Sequence, residues 1–510
     1  KPFKFSPPDG FQPLNAANTR PDKVISRPDQ YVGVTTYSGT GDAVSPRTVE
    51  LPFDADLVWA KSRDRSSSHQ LVDTVRGNNK VLISNSTDLE RDPTSYFGGG
   101  GVASIDGKII SIESGSSNNA NLNTDGEDAV VWHWKAGGNK NTFNIDDVGY
   151  ASASAAGMAA GDLNSTAYNT SQRWSDNLTV NTGSVSNATQ AFNGNLTNGA
   201  DSSASTGSND RVMTVTLGLT LNNETVEVYP NHTYSGYYAT IDGIAQSTQY
   251  QVTDYGFAVM GPFTGTLTSV SVTNGTESSN RPAGIRAVKV AGKILIDDNI
   301  TPPNIPNIAP TGASVGTKQG FAIVKYTGNS SNQSTVPHKL LEAPKFVIIK
   351  NLTRASQNWI IGHANAGEQN DNPGFTGFRQ GNQLYFTSGA LDGGTSQFFS
   401  GAHPEANYFT VKDNYEVNYL NDDYVAYLWH DVPGLQKFGT YKGLGGTANG
   451  AFVELGFRPA LVWVKDTANS NSNSHWCVFD NLRPGFNKSP AQNRLHLDES
   501  VQEDPDRVGS

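Results

Sequence analysis

Short runs of β-branched and aromatic residues, each bounded by turn-forming residues, recur along this chain. Ala460-Leu-Val-Trp-Val-Lys465 lies between Gly-Phe-Arg-Pro upstream and Asp-Thr-Ala-Asn downstream, which predicts a strand. Side chains alternate across a strand, so Leu461 and Trp463 share one face while Val462 and Val464 share the other. Both faces are apolar, which predicts a central strand of a sandwich. A polar loop and a second strand follow, His475-Trp-Cys-Val-Phe-Asp480.

The same frame occurs three times. It runs from Val34-Thr-Thr-Tyr37-Ser-Gly39 to Trp59-Ala-Lys61, from Ile323-Val-Lys-Tyr326-Thr-Gly328 to Ile348-Ile-Lys350, and from Phe438-Gly-Thr-Tyr441-Lys-Gly443 to Trp463-Val-Lys465. In each copy the Lys falls 24 positions after the Tyr. The second strand is Ser68-His-Gln-Leu-Val-Asp73 in the first copy and Asn358-Trp-Ile-Ile-Gly-His363 in the second. Two copies close on an apolar strand, Asp128-Ala-Val-Val-Trp-His-Trp134 and Asp423-Tyr-Val-Ala-Tyr-Leu-Trp429. Strands at this spacing with turns between them predict an all-β fold of tandem β-sandwich repeats of the concanavalin or jelly-roll kind.

The layout expected is a first repeat at 31–140, an inserted β domain at 141–300, a Pro-rich linker at 301–317, a second repeat at 318–433 and an incomplete third at 434–510. Residues 1–30 are read as the end of a preceding domain and a linker, and the third copy is expected to continue in a longer protein.

Composition narrows the picture. Of 510 residues only 17% are charged, against roughly 25% in an average domain. Gly, Ser, Thr and Asn fill the gap and disfavour long helices, while 52 Gly and 25 Pro supply turns. The 49 aromatic residues argue against disorder. A net charge of −11 with no Lys/Arg-rich face speaks against nucleic-acid binding. One cysteine, Cys477, excludes a disulfide framework within the chain. No apolar run reaches the roughly 20 residues that span a bilayer, so no membrane insertion is expected.

Candidate chemistry is sparse. The nine histidines stand singly without metal-ligand spacing, and no metal, cofactor or catalytic set is expected. Asp73 with Arg76, and Asp480 with Arg483, read as turn-anchoring ion pairs, since the second copy has His363 where the first has Asp73. Tyr37, Trp59, Lys61, Tyr326, Lys350, Tyr441, Trp463 and Lys465 complete the set of structural anchors. Asp413-Asn-Tyr-Glu416 and Asn421-Asp-Asp423 carry oxygen ligands but lack the regular 12-residue calcium loop. Gly98-Gly-Gly-Gly101 lacks the Lys-Ser/Thr and helix of a phosphate loop and reads as a hairpin tip. Trp132, Trp134 and Trp429 read as core. Trp174, Tyr237 and Tyr238 in the insertion are the aromatic candidates for stacking on a carbohydrate.

The Tyr-x-Gly element, the Phe457-Arg-Pro-Ala-Leu-Val-Trp-Val-Lys465 segment and His69-Gln-Leu-Val-Asp-Thr-Val-Arg-Gly77 with Ile83-Ser-Asn85 resemble a repeated domain in virion proteins of marine tailed phages, especially cyanophages. The opening Phe3-Lys-Phe-Ser-Pro-Pro-Asp-Gly-Phe-Gln-Pro-Leu14 resembles the end of an SPRY-like sandwich. The insertion resembles a galactose-binding module through Trp174-Ser, Ala191-Phe-Asn-Gly-Asn195 and Ala283-Gly-Ile-Arg-Ala-Val-Lys-Val290, with Asn193 where such modules carry Asp. The resemblance implies a non-enzymatic structural protein of the virion, made in the bacterial host cytoplasm. It implies a tail fibre or tail-associated adhesion protein that contacts host-surface glycan, with other virion proteins as partners and a homo-oligomeric, trimeric state. A capsid decoration or spacer protein without host binding is the alternative.

Overall fold

The computed structural model describes residues 24–503 except for internal segments, the longest of which are 365–377, 387–397 and 484–492. The protein is all-β. Among the described residues its one α-helical element is the single turn Pro93–Tyr96.

The first copy is a two-sheet sandwich. One sheet runs in the order Val32–Ser38, Asp128–Trp134, Leu57–Ser62, Gln70–Asp73, with every pair antiparallel. The other runs Arg47–Glu50, Ile109–Glu113, Gly101–Asp106. Strand alternation assigns the faces. Val58, Ala60, Val72, Ala129 and Val131 close on Val49, Val102, Ile105, Ile110 and Ile112 of the opposing sheet. Leu57, Trp59, Leu71, Val130, Trp132 and Trp134 point the other way. The larger sheet is therefore buried on both sides, which accounts for its near-continuous apolar runs.

The second copy repeats this plan. Leu384–Tyr385, Ile360–His363, Phe346–Asn351, Asp423–Trp429 and Phe321–Thr327 pair in that order, and Ser334–Pro337 with Tyr408–Val411 forms the facing sheet. Three further strands extend the larger sheet: Pro310–Gly316, Phe143–Ile145 and Val148–Tyr150. Residues 310–316 lie in the range expected for a linker and 143–150 in that expected for the insertion. Both join the second copy because Phe143, Ala313 and Val315 bury in its core, and Pro310–Gly316 takes the edge of Phe321–Thr327.

The third copy contributes Leu461–Lys465, Trp476–Asp480 and Leu495–His496. Leu461–Lys465 was expected to be a central strand. Among the described residues it pairs only with Trp476–Asp480, and no strand takes the edge that Asp128–Trp134 and Asp423–Trp429 occupy in the other copies. Val462, 36% exposed, stands where Val58 and Val347 are covered by a second sheet.

The insertion holds a ten-stranded sheet around the long antiparallel pair Val212–Pro230 and Ala258–Thr273, with its own core of Trp174, Phe192, Met213, Val270 and Ile285 among others. The outward faces of the three repeats meet in one aromatic core. Trp463 of the third copy sits edge-on to Trp59 at 5.4 Å and Trp134 at 5.8 Å from the first, and to Phe346 at 6.1 Å and Trp429 at 6.4 Å from the second. Such tilted ring contacts are the favoured aromatic geometry.

Candidate functional site

The positions shared by the copies explain themselves first. Tyr37 donates its hydroxyl to Leu122 O at 2.7 Å, and Tyr326 does the same to Val417 O at 2.7 Å. At Gly39 and Gly328 a Cβ would collide with the backbone carbonyl of Thr124 or Tyr419, so the Tyr-x-Gly element needs its glycine. The third copy departs from this: Tyr441, expected to be an anchor, is 56% exposed. In the other copies the Tyr strand is held by the closing strand, Tyr37 opposite Ala129 and Tyr326 opposite Tyr424. No described strand offers the Tyr441 segment that partner.

Two of the repeated lysines, Lys61 and Lys350, are buried, and Lys465 is half-buried. Lys61 Nζ donates to Ser62 O at 2.7 Å and Arg65 O at 3.1 Å, Lys350 Nζ to Gln357 O at 2.9 Å, and Lys465 Nζ to Ser474 O. Each lysine thus ties its strand to the loop that follows. Burial pushes Lys61 down to about 7, against the pull of Glu503, and Lys350 down to about 8, against Asp88 and Glu416.

The Asp–Arg pairs anchor turns, as expected, and they also do more. Asp73 accepts from Arg76 Nε at 2.5 Å and from the backbone of Val75 and Arg76; Asp480 accepts from Arg483 Nε at 2.6 Å and from the backbone of Leu482 and Arg483. Each carboxylate then takes a bond from a neighbouring copy. Tyr427 of the second copy donates to Asp73 at 2.7 Å, and Trp132 of the first donates through Nε1 to Asp480 at 3.0 Å. Tyr427 and Trp132 hold matching places, paired with Ile348 and Trp59 respectively.

At the start of the matching strands Gln70–Asp73, Ile360–His363 and Trp476–Asp480 lies a second set of bonds. His69 Nε2 bonds His496 O at 2.8 Å, from the first copy to the third. Trp476 Nε1 donates to Tyr385 O at 2.8 Å, from the third to the second. Trp359 Nε1 donates to Ile83 O at 3.1 Å, from the second back to the first. The three repeats therefore close head to tail into a ring. Glu90 N donates to Leu352 O and Glu503 N to Arg63 O, again from matching places across two of the junctions. Strand order alone did not reveal these contacts, because each joins residues far apart in the chain.

Sites weighed for ligands fare differently. Trp174 is fully buried in the insertion core and cannot stack on a sugar; its 3-10 turn is held by Ser175 bonding Asp297. Its apolar ring packs on Tyr168 beneath the sheet, which overrides the exposure expected of it. Tyr238 is half-buried in Tyr238–Asp242, and Tyr237 lies outside the described residues, as does the SPRY-like opening. Asn193 accepts from Asn195 N at 2.8 Å and closes a local turn. In the oxygen-rich loops Glu416 accepts from Asn358, and Asp422 from Arg354 at 2.8 Å and Asn351 at 3.0 Å. These carboxylates hold the loops in place.

Two features were not expected from the sequence. Tyr415 and Tyr419 stack at 4.3 Å with Arg354 over both rings, and Tyr415 is 49% exposed. In the third copy His475, His496 and Glu499 bring ligand atoms within 4.8 Å of one another. Strand pairing of Cys477 with His496 makes them neighbours, so residue spacing carried no signal of it.

A family model described as "Domain of unknown function (DUF7483)" matches residues 27–263 and 304–507. The chain belongs to that family. No curated protein and no solved structure matches it. The two stretches matched by DUF7483 take in all three repeats, with Asp73, Arg76, Asp480 and Arg483 among them.

Proposed function

We propose that the chain is a non-enzymatic structural protein of a virus particle, a tail fibre or tail-associated adhesion protein that meets the host surface. One observation carries the structural half of this reading. The polar groups that recur between copies, the lysines, the Asp–Arg pairs and the ring nitrogens, are bonded to backbone and neighbouring copies. Groups so committed serve rigidity. A rigid β scaffold that carries loops outward suits attachment. The Tyr415–Tyr419–Arg354 platform supplies aromatic faces beside hydrogen-bonding groups, the chemistry that receives a sugar ring. Weak contacts of that kind gain strength when a homo-oligomer such as a trimer presents several copies.

The test is location. Gold-labelled antibody against the chain is expected on the tail of intact particles. Label over the capsid faces would favour the decoration or spacer reading, and absence of the chain from purified particles would sink both. On arrays of host-surface polysaccharide, Tyr415→Ala is expected to lower binding with the fold unchanged by circular dichroism. Release of reducing ends from that polysaccharide would overturn the non-enzymatic reading.

A further inference from the structure

We propose that His475, His496 and Glu499 form a zinc-binding site built into the third repeat, with Asp498 as the group that orients His475. His475 immediately precedes the strand Trp476–Asp480, and His496 closes the adjacent strand Leu495–His496. The pairing of Cys477 with His496 lays the two imidazoles face to face at 4.7 Å, 13° from parallel. Glu499 turns back over them, with Oε1 3.1 Å from His475 Nε2 and Oε2 2.6 Å from His496 Nδ1.

The surroundings of His475 are those of a metal-ligand histidine. Asp498 is buried, and its Oδ2 lies 3.1 Å from His475 Nδ1. An ionised carboxylate only accepts, so Nδ1 carries the proton. Nε2, on the other side of the ring, faces the Glu499 carboxylate at 3.1 Å. A positive centre belongs between Nε2 and that carboxylate, and His496 Nδ1, 2.6 Å from the same carboxylate, supplies the further ligand that a metal ion uses and a proton does not. Carboxylate–histidine–metal is the usual form of such a relay, with the carboxylate fixing the tautomer and ring orientation. Two imidazole nitrogens and a carboxylate oxygen suit zinc, whose ligands lie about 2.0–2.2 Å from the ion. Glu499 is partly exposed, which leaves water access for a fourth ligand.

The repeat itself supplies a control. At the matching places the first copy has Ser68, Ile83 and Ser86. The acceptor role at the fourth place is kept in both: Asn85 Oδ1 takes the bond from His69 N at 2.9 Å, and Asp498 Oδ1 takes it from Trp476 N at 3.0 Å. The repeat thus folds with an Asx side chain there and needs neither imidazole nor Glu499. These three are additions specific to the third copy. Their strand also carries the junction to the first copy, through His69 to His496 O and Ser84 to Leu497 O at 2.5 Å, so a bound ion stiffens that junction.

The test uses the full chain, free of any histidine tag, stripped with a chelator and titrated with Zn²⁺. Calorimetry is expected to give a single zinc per chain and thermal scans a Tm that rises with free zinc. Cobalt(II) in place of zinc should give the strong visible absorption of a tetrahedral centre. His475→Ser and Glu499→Ser install the residues that the first copy carries. Each is expected to weaken zinc binding by about tenfold or more with the metal-free Tm and circular dichroism retained. Failure of the wild-type chain to bind zinc at micromolar free metal overturns the proposal. So does binding that both substitutions leave unchanged, which would assign the metal elsewhere. If His475 is instead an imidazolium bridging Asp498 and Glu499, the stripped chain shows no metal-dependent Tm, and the proposal fails by the same readout.

Discussion

Among the described residues Lys61 makes no ion pair, and its acceptors Ser62 O and Arg65 O are backbone carbonyls in a buried site. Its amine is held near 7, against about 10.5 in the unfolded chain. Between those values the unfolded chain binds the proton that the folded chain lacks, so stability rises with pH through this window. Lys350, near 8, acts in the same direction. Tyr37, Tyr326 and Tyr427 are pushed upward by burial, so above pH 10 the unfolded chain loses protons that the folded chain keeps, and stability falls. The urea midpoint is therefore expected to climb from pH 7 to a maximum below pH 10 and then drop, and Lys61→Met should flatten the climb. A midpoint that is level from pH 7 to 9.5 in the wild type would contradict the burial of these amines. On the acid side, burial holds His133 and His338 down to about 3 and His363 to about 4. The unfolded chain takes up these protons first, so stability is lost as pH falls from about 6.5 towards 4, and His363→Phe should lessen that loss in urea titrations at pH 5.

At the scale of strands, the closing strand of each complete copy decides how copies meet. Tyr427→Phe removes only the hydroxyl that bonds Asp73, a buried bond to a charged group, and should cost about 1.5–3 kcal/mol by chemical denaturation. In an Asp73→Asn background the same change should cost clearly less, because the acceptor has lost its charge; equal costs in the two backgrounds would show that the bond does not join the copies. The strands themselves were legible in the sequence. Alternation set Leu461 and Trp463 against Val462 and Val464, and the matching residues of the first copy, Leu57 with Trp59 and Val58 with Ala60, bury in opposite cores; the shared spacing placed Lys61, Lys350 and Lys465 at equivalent places on their strands. The turn role of Asp73–Arg76 and Asp480–Arg483 was legible too, since both partners lie within one turn. Three things were not. Tyr441 carries the motif yet is exposed, because burial depends on a neighbouring strand and the motif does not encode that strand. Residues 143–145 and 310–316, separated by the whole insertion, pair with each other, a contact that no local pattern announces. The His475–His496–Glu499 group depends on strand register, and register is fixed by packing.

At the scale of the whole molecule, the ring of repeats holds an aromatic core between its copies as well as the cores inside its sandwiches, and the insertion has a core of its own. Trp463, half-buried, packs against that aromatic core through Trp59, Trp134, Phe346 and Trp429. Removing a fully buried tryptophan side chain costs about 3–5 kcal/mol; half-buried Trp463 should cost less, and the gap opens against residues of both other copies. Trp463→Ala should therefore speed amide exchange together in Leu57–Ser62, Phe346–Asn351 and Trp476–Asp480, one strand from each copy. The pair Val212–Pro230 and Ala258–Thr273 closes on a separate core and should keep its protection in the same sample. The converse substitution, Val270→Ala in the insertion, should raise exchange along that pair and leave the three repeat strands as they were. If Trp463→Ala loosens only Leu461–Lys465 and Trp476–Asp480, the copies are beads that happen to touch. If all three repeat strands loosen together, the bonds from His69, Trp476 and Trp359 act as one closed circuit, and the repeats fold and unfold as a ring.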